Sequence, residues 1–187
     1  MPTTKSRSTT RAKEFAFPLS VEWTGGRRVE VNVEEKQTLD VAPPTVFRGD
    51  DPTIWSPEDL LVAAAASCLA VTFTGLADRE GLTYTRLAVD GTGVCSTRSD
   101  GRFGFTGLAL HMLVVTAEPD EARARALAEK AEATCLVSAS LDVPVETVID
   151  VRTPQHDGRA NGEEAWHTID EREREATSPG TPRLKWT

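Results

Sequence analysis

Cysteine is scarce in this chain of 187 residues, and its three copies form neither a C-x-x-C pair nor a Cys/His cluster. An odd number of cysteines cannot all pair within one chain, so a disulfide scaffold is not expected. Because metal-binding cysteines are usually closely spaced, the sequence also predicts no structural zinc site. No secretory signal is recognisable, which favours a reducing, cytoplasmic compartment where any disulfide is transient.

Basic residues are also in the minority, with 21 lysines and arginines against 29 aspartates and glutamates and a formal net charge of −8. A nucleic-acid-binding surface needs positive charge to displace the counterions of the phosphates. We therefore expect no nucleic-acid partner. The hydrophobic content of 39% and the charged content of 27% are those of an ordinary globular domain.

The two ends of the chain have the composition of flexible tails. Residues 1–13 are basic, rich in Ser and Thr, and lack the apolar stretch of a secretory signal. Residues 152–187 are highly charged and contain few large apolar side chains, so they cannot bury enough surface to offset their ordering entropy. The sequence thus predicts a disordered tail over 1–13, a folded domain over 14–151 and a flexible charged extension over 152–187.

The first half of that domain begins with two runs of alternating apolar and polar residues, 15–23 and 28–34. The Thr24-Gly25-Gly26 segment between them can supply the positive φ angles of a tight turn, so the runs predict a β-hairpin. A helix is then predicted from Ser56-Pro57 to about Arg79, because serine caps a helix and proline fits its first turn.

The second half repeats this order. Two strand-like runs, 82–97 and 102–117, precede a second helix that begins near Pro119 and is expected to end at Cys135. A last strand is predicted over 143–151. Strands followed by a helix, twice over, indicate an α+β fold rather than a doubly wound parallel sheet.

The first predicted helix carries no charge between Leu60 and Ala77. This length reaches the lower limit of a membrane span, but the run is rich in alanine and small polar residues, and no basic cluster flanks it. We therefore expect no membrane span. A helix that is apolar on every face is normally buried on every face, and one chain of this size has little material to surround it. The sequence thus predicts a homodimer in which two such helices pack together.

Taken singly, each cysteine is expected to be a small buried hydrophobe. A reactive thiol needs a stabilised thiolate, and Cys68 lies too far along its helix to gain from the helix N-terminus. An arginine from elsewhere would have to stabilise it. The candidates are Arg27, Arg28 and Arg48.

Two strings of the sequence carry a family resemblance. In the first, Trp55-Ser56-Pro57-Glu58-Asp59-Leu60-Leu61 and a run of alanines precede Cys68; in the second, residues 131–138 surround Cys135. Together with the strand order, these strings resemble the two cysteine segments of the OsmC/Ohr family, the osmotically inducible and organic-hydroperoxide-resistance proteins. The resemblance covers about residues 19–151.

The resemblance implies an intertwined homodimer and a thiol-dependent peroxidase that reduces organic hydroperoxides to alcohols. Cys68 matches the peroxidatic cysteine, Cys135 the resolving cysteine, and Glu58 the glutamate of an Arg–Glu pair. For the arginine, Phe47-Arg48-Gly49 resembles the OsmC branch and is preferred, while Arg27 resembles the Ohr branch. No bound cofactor is implied; an external dithiol, with the lipoyl type as one candidate, would reduce the disulfide.

Two features depart from the family pattern. Leu136 follows the second cysteine where the family often has proline, and the charged C-terminal extension has no counterpart in the family core.

Helix geometry constrains this site. Ten helical residues span about 15 Å, so Glu58 cannot neighbour Cys68 on one straight helix. A shared site would need Glu58 from a second chain, which again predicts a two-fold dimer. An apolar rim, expected to favour organic peroxides over hydrogen peroxide, is predicted from Ile54, Trp55, Leu69 and Phe73.

Two other functions fit the same pattern. In a hot-dog-like thioesterase or dehydratase, Glu58 or Asp59 would be catalytic and Cys68 incidental. In a non-enzymatic carrier of hydrophobic ligands, the cysteines would only fill space. The three histidines at 111, 156 and 167 show no ligand spacing, and none is assigned to a site.

Overall fold

The computed structural model describes residues 13–154, which form two compact units. The first ends at Pro57 and the second begins at Glu58. The predictions of a disordered tail over 1–13 and a flexible extension over 152–187 lie almost wholly outside the described residues, as do His156 and His167.

The first unit is built on a three-stranded antiparallel sheet in the order β1-β2-β3. Its strands are β1 (Ser20–Gly25), β2 (Arg28–Asn32) and β3 (Leu39–Val41). The predicted hairpin is confirmed, since β1 pairs with β2 and the turn glycines have φ angles of 132° and 55°. The short β3 was not predicted.

The apolar side chains of this sheet share one face. Val21 lies opposite Val31 and Trp23 opposite Val29, and β3 extends the same rows. Two of these side chains, Val21 and Trp23, are 54% and 72% exposed. The sheet therefore presents uncovered apolar surface along its outer strand.

The second unit combines a long helix with a second three-stranded sheet, in the order β4-β5-β6. β4 and β5 are antiparallel, whereas β6 runs parallel to β5 after a helical crossover. The α+β prediction is confirmed. The elements are α1 (Pro57–Glu80), β4 (Arg86–Thr97), β5 (Phe103–Val115), α2 (Glu121–Ala133), α3 (Leu136–Ala139) and β6 (Val145–Arg152).

The core of the second unit lies between α1, α2 and the sheet. One face of α1 is fully buried, and alternate residues of β5 face it. The buried residues of α1 are Ala65, Leu69, Phe73, Leu76 and Ala77, and those of α2 are Ala124, Leu127, Ala128 and Ala131.

Length and composition alone would allow α1 to cross a membrane, but its buried face makes it the core helix of this unit. Within the described residues α1 is not covered on every side. Val71, for example, is 68% exposed. A helix that is uncharged all round is thus buried on only one face by its own chain.

Tight packing fixes α1 against β4. A β-carbon placed on Gly93 would lie 2.5 Å from the ring of Phe105 and 2.8 Å from a methyl group of Val62, and Gly91 faces Val62 as closely. Any larger residue at these positions would push the first turns of α1 away from the sheet.

The second helix differs from its prediction. Instead of running on to Cys135, α2 ends at Ala133, and the backbone takes an extended conformation at Cys135 before α3 begins. Cys135 is therefore the residue immediately preceding α3. This break directs its side chain into the core, where it is 2% exposed.

Candidate active site around Cys68

The second unit brings Cys68 and Cys135 together although 67 positions separate them in sequence. Both cysteines are free, and Cys68 packs against the core cluster that contains Cys135. The two residues come together because the core face of α1 and the break between α2 and α3 belong to the same cluster. A thiol pair in contact can form a disulfide when one sulfur is oxidised.

Hydrogen bonds favour the thiolate form of Cys68. Burial raises the pKa of this thiol, but donors around Sγ more than offset the burial and bring the pKa below its ordinary value of 9.0. In order of decreasing effect, the donors are the peptide N–H of Val137, the thiol of Cys135, the hydroxyl of Thr72 and the peptide N–H of Leu136.

These donors were not part of the sequence-based expectation. The sequence predicted an arginine as the source of thiolate stabilisation, which stays a prediction; peptide N–H groups and a hydroxyl of the second unit also act to lower the pKa of Cys68. The i, i+4 spacing of Cys68 and Thr72 on a helix was available as a signal. No sequence signal was available for the contribution of the Leu136 and Val137 N–H groups, because that contribution depends on the unpredicted break after α2.

Cys135 is the more deeply buried member of the pair. The hydroxyl of Ser138 donates to its Sγ at 3.3 Å, from the turn of helix that follows it. This contact helps to fix the position of the sulfur. At 2% exposure, the sulfur of Cys135 has little access to a substrate from solvent.

Cys95 differs from Cys68 and Cys135 in its surroundings. It sits in β4, next to a shift in the β4–β5 register. Burial, and then the negative charge of Glu58, raise the pKa of this thiol above 9.0. Both effects suppress the thiolate, so Cys95 is poorly suited to nucleophilic chemistry.

Glu58 is the second residue of α1. Its negative charge acts on the thiol of Cys95, raising the pKa of that thiol, rather than on Cys68. Because α1 is one continuous helix, the expected separation of Glu58 and Cys68 holds within the chain. Its Oε2 atom is buried and accepts no hydrogen bond from the described residues. A buried carboxylate oxygen without a donor is unfavourable, so this atom is suited to a cationic partner.

The two candidate arginines lie side by side in the first unit. Arg27 donates from Nη1 to the carbonyl oxygens of Phe47 at 3.2 Å and Arg48 at 3.5 Å. These carbonyls belong to the end of a short 3-10 turn, Thr45–Phe47. The guanidinium of Arg27 thus holds the turn that carries Arg48.

Arg48 itself has a left-handed backbone, with φ of 66°. Such a conformation costs a non-glycine residue about 1 kcal/mol or more. Here it closes the turn, because the N–H groups of Arg48 and Gly49 bond to Thr45 and Pro44 at 3.0 Å each. Arg28, the third arginine considered, forms ion pairs with Asp50 and Asp51 instead.

The expected apolar rim is wrong for two of its four residues. Leu69 and Phe73 are 1% and 0% exposed, because they point into the core of the second unit. Ile54 and Trp55 belong to the loop before α1, where Trp55 is 48% exposed.

Between residues 13 and 154, no group of three or more His, Cys, Asp or Glu side chains could hold a metal ion.

The protein-family model described as OsmC-like protein matches residues 49–149, more than half of the chain. Among curated proteins, the uncharacterised protein YmaD of Bacillus subtilis is 25% identical over 139 residues, covering 72% of this chain and 91% of YmaD.

Solved structures share the fold. An OsmC-like protein of unknown function from Vibrio cholerae has a TM-score of 0.66 at 18% identity, covering 73% of this chain and 99% of its own. An organic hydroperoxide resistance protein from Elizabethkingia anophelis has a TM-score of 0.61 at 20% identity, with 75% and 99% covered. The organic hydroperoxide resistance protein OhrB of Bacillus subtilis has a TM-score of 0.52 at 20% identity, with 73% and 98% covered.

Proposed function

From the premise that the chain belongs to the OsmC-like protein family, we propose that it is a thiol-dependent peroxidase that reduces organic hydroperoxides to alcohols. The observation that carries the proposal is the packing of Cys68 against the core cluster that contains Cys135, together with a lowered pKa of the Cys68 thiol to which a hydrogen bond from Cys135 contributes. A hot-dog-like thioesterase or a ligand carrier gives no reason for such a pair.

In the first step, the Cys68 thiolate attacks the distal oxygen of the hydroperoxide. The O–O bond breaks, the distal OH remains on sulfur as a sulfenic acid, and the alkoxide leaves and takes up a proton to become the alcohol. Two electrons pass from sulfur to the peroxide. A thiolate rather than a thiol is required, which is why the hydrogen bonds to Sγ matter.

In the second step, Sγ of Cys135 attacks the sulfenic sulfur. An S–S bond forms, the S–O bond breaks, and the hydroxyl leaves as water with the thiol proton of Cys135. An external dithiol then reduces the disulfide by two thiol–disulfide exchanges and is itself oxidised to a disulfide. A lipoyl-type dithiol in the cytoplasm is the proposed reductant.

An arginine, Arg48 in preference to Arg27, is proposed to neutralise the developing charge on the leaving oxygen. Glu58 of a second chain would orient that arginine. Two observations support this arrangement: the side chain of Arg27 is bonded to the turn of Arg48, and Oε2 of Glu58 is buried without a donor from the described chain. The functional unit is accordingly a homodimer with two composite sites.

Organic hydroperoxides are the proposed substrates because Cys68 packs against the hydrophobic core cluster. An apolar substituent placed beside this cluster leaves water, which is worth about 1.5–3 kcal/mol for a phenyl-sized group. Two structural relatives are also named for resistance to organic hydroperoxides.

The test compares the wild type with Cys68→Ser, Cys135→Ser and the matched control Cys95→Ser. Cumene hydroperoxide and dihydrolipoamide are supplied, and peroxide loss is followed with peptide mapping of the oxidised protein. We expect Cys68→Ser to abolish turnover, Cys135→Ser to stop after one sulfenic acid per chain, and Cys95→Ser to remain active. Hydrogen peroxide should react at least about tenfold more slowly than cumene hydroperoxide.

A Cys68–Cys135 disulfide as the first oxidation product supports the proposal. Indiscriminate oxidation of all three cysteines, or peroxide turnover that survives Cys68→Ser, contradicts it. Thioester hydrolysis that persists in Cys68→Ser would favour the thioesterase instead.

A further inference from the structure

Gly91 and Gly93 of β4 lie against the first turns of α1. Neither glycine has a positive φ angle, so an alanine could adopt the backbone conformation of either. An added β-carbon would instead meet the helix, 2.9 Å from Cγ1 of Val62 at position 91 and 2.8 Å from Cγ2 of Val62 at position 93. The close approach of the helix, rather than the shape of the strand, therefore requires glycine at both positions.

These contacts also set the register of α1 along β4. A β-carbon on Gly91 would lie 3.7 Å from Cβ of Ala66, four residues after Val62, so the helix and the strand run in opposite directions. Four helical residues rise about 6 Å and two strand residues about 6.6 Å, so the two elements stay nearly in step. One further step towards the start of α1 places Glu58 over Cys95.

The irregular pairing of β4 with β5 does not disturb this alignment. Val94 pairs with Gly107 and Cys95 with Phe105, so the extra residue belongs to β5. Because β4 keeps its alternation, Cys95 faces α1 as the two glycines do. The negative charge of Glu58 raises the pKa of this thiol, which agrees with the register.

The seating of α1 decides where the Glu58 carboxylate lies. Its Oε2 atom is buried and accepts no hydrogen bond from the described residues, so no donor among them fixes that atom. We propose that Gly91 and Gly93 are positioning residues, whose missing side chains let α1 hold Glu58 where the composite site needs its carboxylate. This inference rests on the proposed function for the role of Glu58, but the seating itself requires no peroxide.

The test uses Cys95 as a reporter, because the Glu58 carboxylate raises the pKa of its thiol. Alkylation of Cys95 by iodoacetamide is followed in the full chain as the pH is raised, with mass spectrometry resolving the three cysteines. Glu58→Gln removes the charge, and we expect it to raise the Cys95 rate near pH 8 about threefold. Gly91→Ala should raise that rate about twofold or more, because the added methyl group pushes the first turns of α1 away from β4.

A shift of α1 would also expose the Cys95 thiol and lower its pKa without involving the carboxylate. The double variant Glu58→Gln/Gly91→Ala separates these two causes. If the glycine acts by positioning Glu58, its substitution has no further effect once the charge is gone, and the double variant matches Glu58→Gln. A faster Cys95 rate in the double variant than in Glu58→Gln overturns the proposal.

Two further variants control for packing. Val62→Ala removes the methyl groups that the new β-carbon would meet, so Gly91→Ala/Val62→Ala should return the Cys95 profile to that of the wild type. Gly104→Ala on β5 is the matched control, because the nearest atom to its β-carbon, Cδ of Arg98, lies 3.7 Å away. A Cys95 rate in Gly91→Ala equal to that in Gly104→Ala overturns the proposal. If Gly91→Ala does not fold, Val62→Leu makes the same test from the helix.

Peroxide turnover supplies a second readout. Gly91→Ala should lower kcat/KM for cumene hydroperoxide in the same direction as Glu58→Gln, and the two effects should not add. Failure of the proposed function is distinguishable, because the wild type would then show no turnover while the Cys95 shifts remain. Turnover by the wild type without any Cys95 shift in Gly91→Ala overturns the positioning role alone.

Discussion

Cys68 and Cys95 are both half-buried, yet the pKa of the Cys68 thiol is lowered and that of the Cys95 thiol is raised. Around Cys68, hydrogen-bond donors converge on the sulfur; around Cys95, burial and the carboxylate of Glu58 act together against ionisation. The difference comes from neighbouring groups rather than from solvent access, and it makes Cys68 better suited than Cys95 to the proposed role of nucleophile.

This contrast predicts ordered labelling. Because the pKa of Cys68 lies below 9.0 and that of Cys95 above it, the thiolate of Cys68 forms first as the pH rises. Iodoacetamide at pH 7 to 8 should modify Cys68 before Cys95, as read by peptide mapping. Cys95→Ser should not change the rate at Cys68. Faster labelling of Cys95 would contradict the assignment, provided that the protein is folded.

At this scale the family resemblance predicted the cysteine pair and Glu58 as site residues, but the sequence could not supply the environment of the sulfur. The donors from Leu136 and Val137 come from a loop conformation that no local motif specifies. Two expected rim residues, Leu69 and Phe73, also proved to be core, because a helix that is apolar all round does not reveal which side faces inwards.

Among the elements, α1 and β4 approach closely near the candidate site. Gly93 leaves no room for a β-carbon between Phe105 and Val62, and Val62 lies on α1 one turn after Glu58. This close approach therefore holds the beginning of the site helix against the sheet.

Gly93→Ala is expected to lower the free energy of unfolding by about 1–3 kcal/mol, since the added methyl group overpacks this contact. The matched control is Gly104→Ala on β5, where the nearest atom to an added β-carbon lies 3.7 Å away. Urea denaturation followed by circular dichroism measures the difference. Equal free energies of unfolding for the two variants would contradict this prediction, because they would show that α1 can shift away from β4 without loss of stability.

The sequence predicted most elements but not their ends. The Gly-Gly turn and the Ser-Pro start of α1 carry specific backbone signals, and both appear where expected. The break between α2 and α3 carries none, because no glycine or proline occurs between Ala131 and Ser140. Packing of Cys135 into the core decides it instead.

For the whole molecule, the important feature is apolar surface that the chain leaves uncovered. Val21 and Trp23 on β1 and Val71 on α1 are each more than half exposed. The proposed homodimer would cover such surfaces, and a two-fold axis would bury each residue twice. The overall α+β architecture was predictable because it follows from hydrophobic patterning; the assembly depends on which faces remain exposed after folding.

Val21→Lys is expected to weaken the dimer. Two buried valines would be lost per dimer, about 3 kcal/mol or more, so the dissociation constant should rise at least about a hundredfold. Glu22→Lys, the next residue on the opposite face of β1, adds the same charged group and is the control. Sedimentation velocity over a concentration series measures both. A wild-type protein that remains a monomer throughout would contradict the dimer and, with it, the composite site.

The bond from the Arg27 guanidinium to the carbonyl oxygen of Arg48 spans 21 positions of the chain. The side chain of Arg27 thereby stabilises the turn that carries Arg48. Over evolutionary time these two positions are expected to covary. A homologue without Arg27 would hold the turn of Arg48 less firmly, and it would gain little from keeping Arg48.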